Sequence, residues 1–279
     1  MKDCDLETAF LEGPNGPLFC LTFLPASRQK QCTQVIIHVP PFAEEMNKSR
    51  PMVSAQAKQM ASMGYPVVLF DLFGTGDSSG QFEQASWESW IRDLLFVCEW
   101  AQANFSVDKL ILWGLRAGCL LASACVQRDT HKVSRLIFWQ PVVSGERVLT
   151  QFRRLDQLSL SVKPPGLGDS TAVPEIAGYR LNSELIAELS QADLGSCPIP
   201  PGVHLDWLEV TALEVLKLGH ASEQTLQTLR EAPHPDICTG VVRGDPFWFT
   251  QEVSMVPALL EETLRLLGSP DREELSVDN

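Results

Sequence analysis

Residues 109–125 read KLILWGLRAGCLLASAC. A run of large apolar residues, a Gly-Leu-Arg-Ala-Gly turn and a run of small residues describe a buried strand, a tight turn and a helix. Such a turn holds its middle residue out at the carboxyl end of the sheet, over a helix N-terminus. A serine or cysteine there would be a nucleophile, but the residue is Arg116. A guanidinium stays protonated and offers only donors, so it cannot attack a carbonyl. It can pair with a carboxylate or hold a carboxylate or phosphate group of a ligand. The segment after the strand Gln34–Val39 supplies charged candidates in AEEMNKSR, namely Glu44, Glu45 and Arg50. Three uses of Arg116 are open: a carboxylate–guanidinium site with Glu44 or Glu45, an anion receptor, or a structural ion pair that fills the position.

Other residues fall near the same point. Cys119 lies three positions past Arg116, about one helical turn into the next helix. A thiolate beside a guanidinium and a helix N-terminus would have a lowered pKa and be reactive. The alternative is a packed thiol among Leu120, Leu121 and Ala122. His38 ends a strand, where it either orients a pocket group or makes a local hydrogen bond. Phe42, Leu115 and Arg50 complete the candidate ligand contacts with His38. Asp206, Glu209, Glu214 and Glu146 are candidate acids or solvated charges. Ser78 and Ser79 read as parts of a glycine-rich turn. Trp87, Trp90 and Phe247–Phe249 read as core.

These residues need a frame. Thr8–Leu11 and Leu18–Leu24 flank GPNGP and predict an antiparallel hairpin. Gln34–Val39, Pro66–Asp71, Lys109–Leu115 and Val133–Trp139 are strand-like, as are Leu205–Val210 and Ile237–Val242. Ser54–Met63 predicts a helix stopped at Gly64, and Ser86 caps a helix running to about Asn104. Gln251–Leu267 predicts a closing helix. Strands alternating with helices imply a parallel sheet with right-handed crossovers. The alternation breaks over 144–203, where PPGLGDSTAVP and CPIPPG surround one helical segment, Asn182–Gln191. This stretch reads as a cap, between core segments 1–143 and 204–268, with 269–279 a solvated tail.

The chain of 279 residues has room for one large α/β domain with an insertion. A net charge of −13 argues against nucleic acid and anionic membrane surfaces. Eight scattered cysteines without a C-x-x-C pair suit reduced thiols in a cytoplasm and give no zinc pattern. The first ten residues, MKDCDLETAF, have no signal-peptide pattern. No apolar run approaches the roughly 20 residues of a membrane span. No metal, no cofactor and no membrane insertion are therefore expected, and the oligomeric state is left open.

The turn at Gly114–Gly118 resembles the G-x-S-x-G elbow of the α/β-hydrolase superfamily. Asp71–Gly80, DLFGTGDSSG, is similar to the D-x-x-G-x-G-x-S turn of such proteins, and His38–Phe42 sits where they carry an H-G oxyanion turn. Closer still, HVPPFAEEMNKSRPM, FDLFGTGDSSG, WGLRAG and GDPFWFTQEV resemble the second of two hydrolase-like proteins associated with the bacterial exosortase A system, which handles exopolysaccharide-linked protein export. The resemblance implies an α/β-hydrolase fold, a mostly parallel sheet flanked by helices, with a small cap. It implies a hydrolase of a small acyl or ester-type substrate. The positions that would hold the triad's serine and histidine carry Arg116 and Pro246. The alternative is a catalytically inactive protein that binds a small anionic ligand or a protein partner.

Overall fold

The computed structural model describes residues 4–26, 33–129, 132–160, 175–176, 178–232 and 236–268. The expected tail, 269–279, and all of PPGLGDSTAVP lie outside the described residues. The opening hairpin pairs β1 (Asp5–Gly13) with β2 (Gly16–Leu24) in antiparallel register. The parallel strands are β3 (Gln34–Val39), β4 (Val67–Phe70), β5 (Lys109–Leu115) and β6 (Val133–Trp139). A two-stranded ribbon follows, β7 (Glu175–Ile176) with β8 (Tyr179–Arg180), and then β9 (His204–Thr211) and β10 (Asp236–Arg243). The large sheet has the order β1-β2-β4-β3-β5-β6-β9-β10. Every pair from β4 through β10 is parallel, and β2 joins β4 antiparallel.

Parallel strands must be covered on both faces. The helices α1 (Ala43–Ser62) and α7 (Pro257–Gly268) cover one face through Met52, Ala57, Met60, Leu259 and Leu260. The opposite face carries α2 (Trp87–Phe105) and α3 (Ala117–Arg128). The remaining helices, α4 (Gly145–Leu160), α5 (Ser183–Ser190) and α6 (His220–Arg230), join that second core through Leu149, Leu185 and Leu226. This is the α/β-hydrolase fold that the resemblance implies.

Four helices depart from the sequence reading: α6 is unanticipated, α7 begins at Pro257 and not Gln251, and α1 and α4 differ as well. The first helix begins at Ala43, not Ser54, because Pro51 sits inside it without ending it. Burial of Met46 and Ser49 before the proline and Met52 and Val53 after it keeps the helix continuous. A helix also occupies 145–160 at the start of the expected cap, in a stretch read as irregular. The cap at Ser86 is as expected. Its Oγ accepts from the Ser89 backbone N–H at 3.1 Å, and Ser89 Oγ accepts from the Ser86 N–H at 2.9 Å.

Candidate functional site

The backbone at Arg116 has φ 56° and ψ −119°, in the left-handed half of φ. A non-glycine residue there costs on the order of 1–3 kcal/mol, and the surroundings must enforce it. They do so with hydrogen bonds and close packing. The Arg116 N–H donates to Trp139 O at 3.0 Å, and its carbonyl accepts from Cys119 N–H at 3.1 Å. A Cβ on Gly114 would stand 2.9 Å from the Cys119 backbone, and one on Gly118 would stand 2.1 Å from Val39 O. The two glycines are needed because the helix start is pressed against its own strand and against the end of β3. Ala43 (φ 57°) and Gln140 (φ 44°), past the ends of β3 and β6, are likewise left-handed. Strain therefore gathers at the carboxyl end of the central strands.

The Arg116 side chain is 90% buried and closes on Glu45. Its Nε and Nη2 donate to Glu45 Oε1 at 3.1 and 3.0 Å. Nη2 also donates to Gln151 Oε1 at 2.7 Å, and Gln151 Nε2 donates to the same Glu45 oxygen at 3.1 Å. Nη1 reaches the Gln140 carbonyl at 3.4 Å. The Trp248 ring lies 5.1 Å from the guanidinium carbon, a cation–π contact in a dry setting. Five elements converge: the first turn of α1, the elbow, the segment after β6, α4, and the loop after β10. Glu45 sits in the acidic first turn of α1, where the helix dipole favours a carboxylate.

The pair forms a wall between two cavities. On one side a cavity of about 280 Å³ is lined by Glu45, Lys48, Gln151, Trp248 and Phe249. On the other, one of about 690 Å³ is lined by Arg116, Arg147, Thr150, Gln151, Arg154 and Ser222. Arg147 and Arg154, seven residues apart on α4, share one face of that helix.

The other candidates take different places. Glu44 is exposed and does not touch Arg116; its Oε1 accepts from Tyr179 Oη at 3.2 Å. Burial and that carboxylate push the Tyr179 hydroxyl up to about 12. Arg50 joins Asp71 instead, with Nη2 at 2.9 and 3.0 Å from the two carboxylate oxygens. Asp71 also accepts from the Asp77 N–H, so Arg50 braces the glycine-rich turn. Ser78 Oγ bonds the Asp71 carbonyl in that turn. Phe42 stacks on Phe152 at 5.3 Å, and Leu115 is fully buried; neither lines the cavities beside Arg116. His38 is buried against Trp113 and faces its carbonyl through Nδ1 at 3.0 Å. Burial, aided by the Arg50 charge and only partly opposed by that hydrogen bond, lowers its pKa to about 3.

Cys119 is fully buried, its sulfur 3.9 Å from Trp139 O. Burial pushes its thiol well above the ordinary value, outweighing the Arg116 charge that sequence proximity suggested. Geometry thus favours the packed thiol. Iodoacetamide at neutral pH should modify the exposed Cys238 long before Cys119 in the folded protein. Mass spectrometry showing Cys119 alkylated first would restore it as a nucleophile.

No carboxylate candidate other than Glu45 approaches Arg116. Asp206 pairs with Ile137 across the sheet, three residues short of the elbow level, about 10 Å along the strand. Glu209 is at the right height but is engaged by Trp207 Nε1–H and the Gly219 N–H, both at 2.9 Å. Glu146 is exposed and lines the same cavity as Arg116 without pairing with it, and Glu214 is exposed. After β10, the Pro246 carbonyl accepts from the Phe249 and Thr250 N–H groups. Phe247 and Trp248 enter the core, as expected, with Trp248 also covering the guanidinium, whereas Phe249 is exposed. Trp248, Gln151, Arg147 and Arg154 were not singled out as site residues. The last three lie on α4, within the stretch expected to be an irregular cap.

Comparisons with known proteins agree with this architecture. Residues 33–171 match the family Hydrolase_4, described as serine aminopeptidase, S33. The chain is 26% identical over 205 residues to the mitochondrial palmitoyl-protein thioesterase ABHD10 of Bos taurus, covering 72% of this chain and 62% of that one. It spans less than two thirds of the length of the curated relatives it matches. Among solved structures, Est1E from Butyrivibrio proteoclasticus with ferulic acid bound superimposes with TM-score 0.64 at 15% identity, over 93% of this chain and 97% of that one. Mouse alpha/beta hydrolase domain-containing protein 10 does so with TM-score 0.56 at 18% identity, over 94% and 98%.

Proposed function

We propose that this chain, a protein of the α/β-hydrolase superfamily, uses its elbow to receive an anion and not to attack a carbonyl. The observation that carries this reading is the buried Arg116, held by Glu45 and Gln151, with its guanidinium lining the cavity that Arg147 and Arg154 also line. Among the described residues Nη1 makes one long hydrogen bond, to Gln140 O, and it has two N–H groups. It therefore has donor capacity left for a ligand. Glu45 neutralises Arg116, and Glu146 on the same lining offsets one further charge, so Arg147 and Arg154 leave the cavity with a net positive charge of about one. The site suits a small molecule with a carboxylate or phosphate group, and the apolar Val142 and Val143 lining beside it suits an acyl chain.

Hydrolysis of an acyl or ester bond, the activity of relatives such as the thioesterase, needs a nucleophile and a base to activate it. Here Arg116 stands at the elbow, and Trp248 covers it from the loop where a histidine would be sought. These features support the inactive, ligand-binding alternative. Glu45, Arg116 and Trp248 fall in HVPPFAEEMNKSRPM, WGLRAG and GDPFWFTQEV, three stretches that resemble the exosortase-associated family. That coincidence supports a ligand drawn from bacterial exopolysaccharide or exosortase chemistry.

The test is a set of thermal melts with inorganic phosphate and with linear carboxylates from acetate to decanoate, against the matching neutral amides. Anions should raise the melting temperature and amides should not. Arg147→Ala with Arg154→Ala, both exposed on α4, should remove the response while leaving the unliganded melt unchanged. A response that survives the double variant, or none to any anion, overturns the reading. A fluorophosphonate probe should label no serine. Stoichiometric labelling would show an activated nucleophile and overturn it equally.

A further inference from the structure

At the opposite, amino end of the sheet, β9 and β10 present a second cluster. The parallel register sets His204 beside Asp236 and Asp206 beside Cys238. Alternation along each strand puts all four on one face. His204 Nε2 lies 2.9 Å from Asp206 Oδ1, and its Nδ1 lies 2.8 Å from Asp236 Oδ2. The ligating atoms of His204, Asp206 and Cys238 all lie within 4.8 Å of one another. Arg135 of β6 donates to the other Asp206 oxygen at 2.6 Å and to Leu266 O of α7 at 2.9 Å.

We infer that His204 Nε2, Asp206 Oδ1 and Cys238 Sγ form a zinc site that clips the edge strand β10 to β9. Imidazole, carboxylate and thiolate together suit Zn²⁺ better than Mg²⁺ or Ca²⁺, which prefer all-oxygen shells. The outer contacts are those a zinc site uses. A histidine ligand donates its second N–H to a carboxylate, which fixes the tautomer and leaves the other nitrogen free for metal. Asp236 stands at Nδ1 for that purpose. Arg135 holds the far oxygen of Asp206, which aims the near one at His204. The metal replaces the proton shared between Nε2 and Oδ1, and the Cys238 thiol releases its proton on ligation.

Tetrahedral ligation at about 2.0–2.3 Å places ligand atoms about 3.5 Å apart. A rotation of the exposed Cys238 side chain can supply most of the closure. Water completes the shell, because His204 and Cys238 reach solvent while Asp206 is fully buried. Arg265 and Glu262 of α7 pair with each other at the margin, so their charges offset there. The site does not depend on the reading of the Arg116 cavities.

Co²⁺ titration of the full chain tests this directly. One equivalent should produce a thiolate-to-cobalt charge-transfer band, displaced stoichiometrically by Zn²⁺. Cys238→Ser should abolish the band without unfolding the protein, since the side chain is exposed. Asp236→Asn should keep the band but weaken affinity roughly 10- to 100-fold. Affinity should fall with decreasing pH as His204 gains a proton. Absence of the band in the wild type, or a band that persists in Cys238→Ser, overturns the site.

Discussion

Arg116→Ala is expected to destabilise the fold by about 3–5 kcal/mol, because it leaves the Glu45 carboxylate buried without its counter-charge. Both side chains are 10% exposed, so solvent offers Glu45 little compensation. Roughly 10 °C of melting temperature should be lost in a chain of this size. Alanine at φ 56° is about as strained as arginine, so the substitution leaves the backbone cost in place and isolates the pair. Gln151 Oε1 loses its donor in the same step, while Gln151 Nε2 still donates to Glu45. Removing both charges should reverse the loss. The double variant Arg116→Met with Glu45→Leu should melt well above Arg116→Ala, because a buried ion pair is often no better than apolar packing of similar volume. An Arg116→Ala melt within about 2 °C of wild type would mean that the pair contributes little and Glu45 finds water.

The second large effect is expected in acid, at His38. A carbonyl can only accept, so Nδ1 carries the proton and donates to Trp113 O, and the ring is neutral in the native state. Its pKa is lowered to about 3, whereas the unfolded chain titrates at the ordinary value of 6.5. Between those values the unfolded state binds a proton that the native state refuses, so stability falls as pH falls. The loss is absent above about pH 6.5, reaches roughly 3 kcal/mol by pH 4, and continues towards pH 3. Asp93 works in the opposite sense. Burial raises its pKa to about 6, so it favours the native state as pH falls towards the ordinary carboxylate value. Comparison with His38→Gln at each pH cancels the Asp93 contribution. Glutamine can still donate to Trp113 O but cannot titrate, so its stability deficit at pH 7 should shrink by about 3 kcal/mol at pH 4. A deficit that stays constant across that range would mean that His38 takes up its proton as readily in the fold as outside it.

The sheet was largely legible. Gln34–Val39 and Val133–Trp139 match the observed strands to the residue, because buried parallel strands are continuous β-branched and aromatic runs with clear ends. The elbow was legible too, since only glycine fits at 114 and 118. Helix α4 was not. Val148, Leu149, Phe152 and Leu155 do recur at helical spacing, but the proline- and glycine-rich PPGLGDSTAVP that follows made the whole of 144–203 read as irregular around a single helix. Sequence reading therefore passed over Gln151, Arg147 and Arg154, which complete the cavity wall. The start of α1 was obscured by Pro51, whose effect on a helix depends on what the neighbouring turns bury.

By itself the sequence determined that an arginine stands where an elbow nucleophile would, and that carboxylates follow the neighbouring strand. That much is a matter of residue type and local backbone. It could not choose between Glu44 and Glu45, since adjacent helix positions point about 100° apart and only packing decides which faces the sheet. The tertiary structure turned Glu45 inward to Arg116 and left Glu44 exposed beside Tyr179. It sent Arg50 to Asp71, buried Cys119 and raised its thiol, and laid Trp248 over the guanidinium. It also set His204 and Asp206 against Cys238, more than 30 positions later in the chain, through the register of two parallel strands. Contacts of that kind are set by which strands become neighbours, and no local pattern in either segment records it.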